Sequence, residues 1–65
     1  MKQTYKFKSH GINVTVLDVE GGKYSCLIKP FALHGGIRKI LARYEITARS
    51  QASAAQMAVQ IYKNQ

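Results

Sequence analysis

The sequence predicts an α+β fold: a three- to four-stranded antiparallel β-sheet with one C-terminal α-helix packed on one of its faces. The order is β-β-β-α, with the N-terminal segment as an extra edge strand or a basic arm. Three observations predict it. Gly21-Gly22 separates two extended apolar segments, residues 37–48 alternate with a period of two, and residues 50–64 carry helical spacing behind a capping residue.

In chain order, Tyr5-Lys6-Phe7-Lys8 alternates aromatic and cationic residues, which fits an edge strand or a mobile basic arm. The first arm of the hairpin runs from Ile12 to Glu20, with Ile12, Val14 and Val16 on one face. Leu17 and Val19 are out of phase by one residue, so a bulge near Val16 and Leu17 is expected to repair the register. Gly21-Gly22 supplies the positive backbone angles of a tight hairpin turn. The second arm, residues 23–29, places Tyr24, Cys26 and Ile28 on one face and Ser25, Leu27 and Lys29 on the other. Pro30 has no N–H to donate and ends the pairing. Residues 31–36 read as a loop whose Phe31 and Leu33 fold back onto the core. From Ile37 to Ala48 one face holds Ile40, Ala42, Tyr44, Ile46 and Ala48, and the other holds Lys39, Leu41, Arg43, Glu45 and Thr47. A helix over residues 37–44 is the alternative, since Ile37, Ile40, Leu41 and Tyr44 also fit helical spacing, but Tyr44-Glu45-Ile46-Thr47 favours strand. Ser50 is the expected N-cap of the helix. Its apolar stripe is Ala54, Met57, Ala58, Ile61 and Tyr62, with the alanines allowing close approach to the sheet and the larger residues filling the far end.

Length and composition bound what such a chain can do. The 65 residues are expected to form one domain, 1–65, burying only about 60% of their unfolded surface and gaining roughly 3–5 kcal/mol from one core. At 46% hydrophobic and 20% charged, the chain is too apolar for a disordered basic tail. The single Cys26 allows no internal disulfide and suits a reducing, cytoplasmic setting. Lys6, Lys8, Ser9 and His10 interrupt any signal-peptide core, and no apolar stretch approaches the roughly 18 residues of a membrane span.

Charge carries the functional expectation. Ten Lys and Arg stand against three acids, a formal net charge of +7, and much of the excess gathers at Lys2, Lys6 and Lys8 and at Arg38, Lys39, Arg43 and Arg49. A small domain so charged repels itself, a cost most easily tolerated beside a polyanion. One helix covers one sheet face, so the other must meet water or a partner. If Ile40, Tyr44 and Ile46 are core, then Lys39, Arg43 and Thr47 point away from it, joined by Ser25 and Lys29 of the neighbouring strand. Cations on that face suit phosphate oxygens, and the planar fork of Arg43 can also read a guanine edge. The order of elements is similar to that of small domains whose three-stranded sheet, backed by a helix, enters the DNA major groove, among them the arm-binding domains of tyrosine recombinases. The expected site is therefore Lys6, Lys8, Lys29, Arg38, Lys39, Arg43, Thr47 and Arg49, with nucleic acid as partner, DNA ahead of RNA, and no cofactor. The alternative partner is an acidic surface of a larger protein, which the chain would regulate or inhibit. Either reading is compatible with a monomer or with a homodimer formed through the N-terminal edge strand.

A solvated face also carries polar residues in any soluble protein, and edge lysines block aggregation. What favours binding is the sign bias, since only Glu45 and the hairpin-end Asp18 and Glu20 oppose the cations. Leu41 on the same face is a contact point or is packed by the N-terminal segment. Tyr5 and Phe7 between lysines resemble a stacking pattern for single strands, but core aromatics of an edge strand account for them as well. His34-Gly35-Gly36 before Arg38 and Lys39 could form a phosphate nest, although such glycine pairs are more often turns. His10, His34 and Cys26 are too scattered for a structural zinc site. No histidine pairs with a carboxylate near a nucleophile, so no enzymatic activity is expected.

Overall fold

The computed structural model describes residues 2–31 and 39–65. Four antiparallel strands, β1 (Lys2–Phe7), β2 (Ile12–Asp18), β3 (Lys23–Pro30) and β4 (Ala42–Thr47), form one sheet in the order β1-β2-β3-β4. The helix α1 (Gln51–Lys63) lies across β2, β3 and β4 and touches β1 more lightly. This is the expected α+β architecture, and the N-terminal segment is its fourth, edge strand.

Local sequence explains the connections. A 3-10 turn, Lys8–His10, joins β1 to β2 and closes at Gly11, which has φ 67° and donates its N–H to the Lys8 carbonyl at 3.2 Å. Between β2 and β3, Gly21 and Gly22 hold φ 65° and 75°, a pair of left-handed positions that only glycine takes without steric cost. The register runs unbroken from Ile12–Pro30 to Asp18–Tyr24, so no bulge occurs at Val16 and Leu17. The extra residue is taken up at the turn instead. Val19 N–H donates to Lys23 O at 2.9 Å and Lys23 N–H to Glu20 O at 3.2 Å, so Val19 and Glu20 both oppose Lys23. Leu17 consequently points away from the helix with the polar set.

The core lies between sheet and helix. Ile12, Val14, Val16, Cys26, Ile28 and Ile46 from the sheet meet Ala54, Ala55, Ala58 and Val59 from α1, with Tyr5, Phe7, Tyr24, Tyr44 and Tyr62 packed around them. Cys26 is fully buried and its thiol donates to the Ala54 carbonyl at 3.7 Å. Ser50 caps α1, its Oγ accepting from Ser53 N–H at 3.1 Å, as expected.

Three expectations are corrected. The last strand begins at Ala42, and Ile40 is 43% exposed instead of buried; Leu41 N–H still donates to Ile28 O, but Lys39 to Leu41 lie outside the ladder. The helical alternative also fails over 42–44, which are strand. Met57 and Ile61 are exposed, because α1 packs through its smallest residues: at 100° per residue they sit about 130° and 90° from the centre of the stripe formed by Ala54, Ala55, Ala58, Val59 and Tyr62. Phe31 is on the surface, not in the core, its N–H donating to the Gly11 carbonyl at 3.3 Å. Leu33 lies outside the described residues.

Candidate nucleic-acid interface

Strand alternation and the register fix what the uncovered face displays. Successive rungs read Lys2–Leu17–Ser25–Glu45, then Thr4–Thr15–Leu27–Arg43, then Lys6–Asn13–Lys29, with Lys23 opposite Thr47 at the far end. Lys2, Lys6, Lys23, Lys29 and Arg43 thus share one face with a single carboxylate, Glu45. Asp18 falls on the opposite face, where Gln51 Nε2 donates to its Oδ1 at 2.8 Å; that bond holds its carboxyl below the usual carboxylate range. The structure therefore brings together Lys6, Lys29, Arg43 and Thr47 of the expected site, with Lys8 beside Lys6 in the following turn. Arg49 follows the end of β4 and Lys39 precedes its start, both exposed. Arg38 and the His34-Gly35-Gly36 segment lie outside the described residues.

Sequence reasoning left Lys2 and Lys23 out of the site. Counting back by twos from Lys6 and Lys29 would have found both. It also gave no role to Asn13 and Thr15, which are buried on this uncovered side at 3% and 4% exposure. The signal was present, since both interrupt an apolar run. Their burial follows from the central position of β2, with Lys6 and Lys29 flanking Asn13, and Thr4 and Leu27 flanking Thr15. Thr15 and Thr4 hydroxyls share a 3.3 Å hydrogen bond.

Among the described residues Asn13 Oδ1 has no hydrogen-bond partner, and neither has the buried Tyr44 hydroxyl on the helix side. A buried polar atom left unpaired costs about 1–3 kcal/mol, a large share of what a chain this small can gain from its core. Asn13 forms part of a cavity of about 330 Å³ at one end of the face, whose described lining is completed by Lys6, Lys8 and Phe31. Two backbone hydrogen bonds that converge on Gly11 set this corner: Gly11 N–H to Lys8 O, and Phe31 N–H to Gly11 O.

The aromatic residues divide differently. Tyr5, Phe7, Tyr24 and Tyr44 all face the helix and pack on the core, so among the described strand residues no aromatic side chain points to the open face. Leu41 cannot be packed by the N-terminal segment, because β1 and β4 are opposite edges of the sheet. Among the described residues no group of three or more His, Cys, Asp or Glu is placed to hold a metal ion, and no helix is long and apolar enough to cross a membrane. No protein-family model, curated protein or solved structure matches this chain.

Proposed function

We propose that the uncovered sheet face binds nucleic acid, with duplex DNA as the favoured form. The observation that carries this reading is the sorting of Lys2, Lys6, Lys23, Lys29 and Arg43 onto the face the helix leaves open, against Glu45 alone. A face whose only task is solvation mixes both signs. Geometry favours duplex over single strand. Four strands span about 14 Å from β1 to β4 at the usual inter-strand spacing, close to the roughly 12 Å width of the major groove. In that pose Lys2 and Lys6 on one edge strand and Arg43 on the other meet the two phosphate walls, while Leu17, Ser25 and Leu27 face the bases. A stacking platform of the kind that holds single strands needs aromatic side chains on the sheet, and here the strand aromatics face the helix.

A salt titration of duplex binding tests the reading. With four to five phosphates contacted, the logarithmic slope of affinity against salt should be about −4. Lys29→Ala with Arg43→Ala should lower affinity and reduce that slope by about 2, with the fold retained. Unchanged binding by the folded double variant would remove this face from the account. Leu17 and Leu27, half-buried in the middle of the same face, support a second reading: an apolar centre inside a cationic rim also suits an acidic protein surface, and the chain would then act as a regulator or inhibitor.

A further inference from the structure

The apolar residues of the open face are sorted as well as its charges. Among the described strand residues on that face only Leu17 and Leu27 are apolar, and both keep part of their surface exposed. Leu17 stands between Lys2 and Ser25, and Leu27 between Thr15 and Arg43, so the two leucines are diagonal neighbours on the central strands. Such a diagonal spans about 7–8 Å, roughly two base-pair steps at about 3.4 Å each. Thr15, beside Leu27, is 4% exposed and shares its hydroxyl with Thr4. The two central strands therefore offer the base edges two aliphatic side chains and the Ser25 hydroxyl. A hydroxyl pairs with donors and acceptors alike, so it does not separate A·T from G·C. The major-groove feature that an aliphatic side chain does recognise is the C5-methyl group of thymine.

We propose that Leu17 and Leu27 read thymine methyl groups in the major groove, so that the face prefers duplex DNA rich in A·T pairs. The assignment rests on the duplex reading of the face and adds the base it selects. Phosphate contacts from Lys2, Lys6, Lys29 and Arg43 carry no sequence information, and the leucines supply the part that does. Burial of a methyl group against an aliphatic side chain is not screened by salt, whereas phosphate contacts are lost with it. Affinity should therefore fall as salt rises while the preference for thymine stays constant.

Uracil in place of thymine removes that methyl group and leaves the phosphates and the hydrogen-bonding edges as they are. The test measures full-chain affinity, by fluorescence anisotropy at several salt concentrations, for a mixed-sequence duplex rich in A·T and for its uracil counterpart. It compares the native protein with a Leu17→Ala, Leu27→Ala double variant whose fold is checked by nitrogen-proton correlation spectra. Loss of two buried methyl groups predicts about tenfold weaker binding of the uracil duplex by the native protein, at every salt concentration. The folded double variant should bind both duplexes equally and keep the native salt slope, and Leu27→Ala alone should leave a preference of about threefold. Equal native affinity for the two duplexes overturns the methyl readout while leaving duplex binding by the face intact. A preference that persists in the folded double variant also overturns it, since the methyl group is then sensed elsewhere or through duplex shape. No binding of either duplex at low salt removes the reading of the face and the methyl readout with it.

Discussion

Cys26 and Asp18 show how single side chains tie pH to stability in opposite senses. Burial against α1 pushes the Cys26 thiol above its ordinary range, since the thiolate is the form that loses solvation. With the folded value raised, the neutral thiol's contribution is complete below the ordinary thiol range and is lost as pH rises through the folded value. Urea midpoints should therefore fall on the alkaline side in the native chain, with that part of the loss absent in Cys26→Ala. A thiol reagent should label native Cys26 only as fast as the chain opens. Asp18 runs the other way. Its carboxyl is held low by Gln51, so its contribution is present above the ordinary carboxylate range and disappears as acid takes pH through the lowered folded value. A carbon-detected titration of Asp18 should show the lowered midpoint return towards normal in Gln51→Ala. Cys26 as a small buried hydrophobe was legible from its place between Tyr24 and Ile28. The burial of Asn13 was not, because it depends on β1 and β3 neighbours that sequence alone does not align.

The helix and the hairpin illustrate what local pattern reveals about an element. Ser50 was readable as a cap because its hydroxyl precedes helical spacing, and Ser50→Ala should cost about 1 kcal/mol, measurable as a lowered urea midpoint. Gly22→Ala forces a side chain into φ 75° and should cost about 1–2 kcal/mol; the nearest atom to the added carbon, Ala48 O at 3.7 Å, leaves room, so strain in the backbone is the cause. Which helix face turns inward was only partly legible. Size suggested Met57 and Ile61, but the close approach of α1 to the sheet selects Ala54, Ala55, Ala58 and Val59. Met57→Gln should accordingly shift stability by no more than about 0.5 kcal/mol, whereas Ala58→Leu should cost about 1–3 kcal/mol by overpacking. A large loss from Met57→Gln would mean that the helix is rotated from the orientation described. The phase slip at Leu17 was visible, yet its repair lay at the turn, where hydrogen bonding to Lys23 sets the position of the extra residue.

At the scale of the molecule, the excess of cations and the one-sided helix belong to the same account. The two-residue period of each strand was enough to place Lys29, Arg43 and Thr47 together, because β3 and β4 keep a simple antiparallel register. Adding Lys6 required β1 to be a strand, and the sequence left that open against a mobile arm. Charges crowded onto one face repel, so a polyanion that binds the folded state should raise the melting temperature with concentration. The most direct measurement is fluorescence anisotropy of the full chain with a labelled DNA duplex at several salt concentrations, for the native protein and the Lys29→Ala, Arg43→Ala double variant. Duplex binding at low salt should fall with a logarithmic slope of about −4, and the folded variant should bind more weakly with a slope smaller by about 2. No duplex binding at low salt, or a folded variant that binds as well as the native chain, would contradict it.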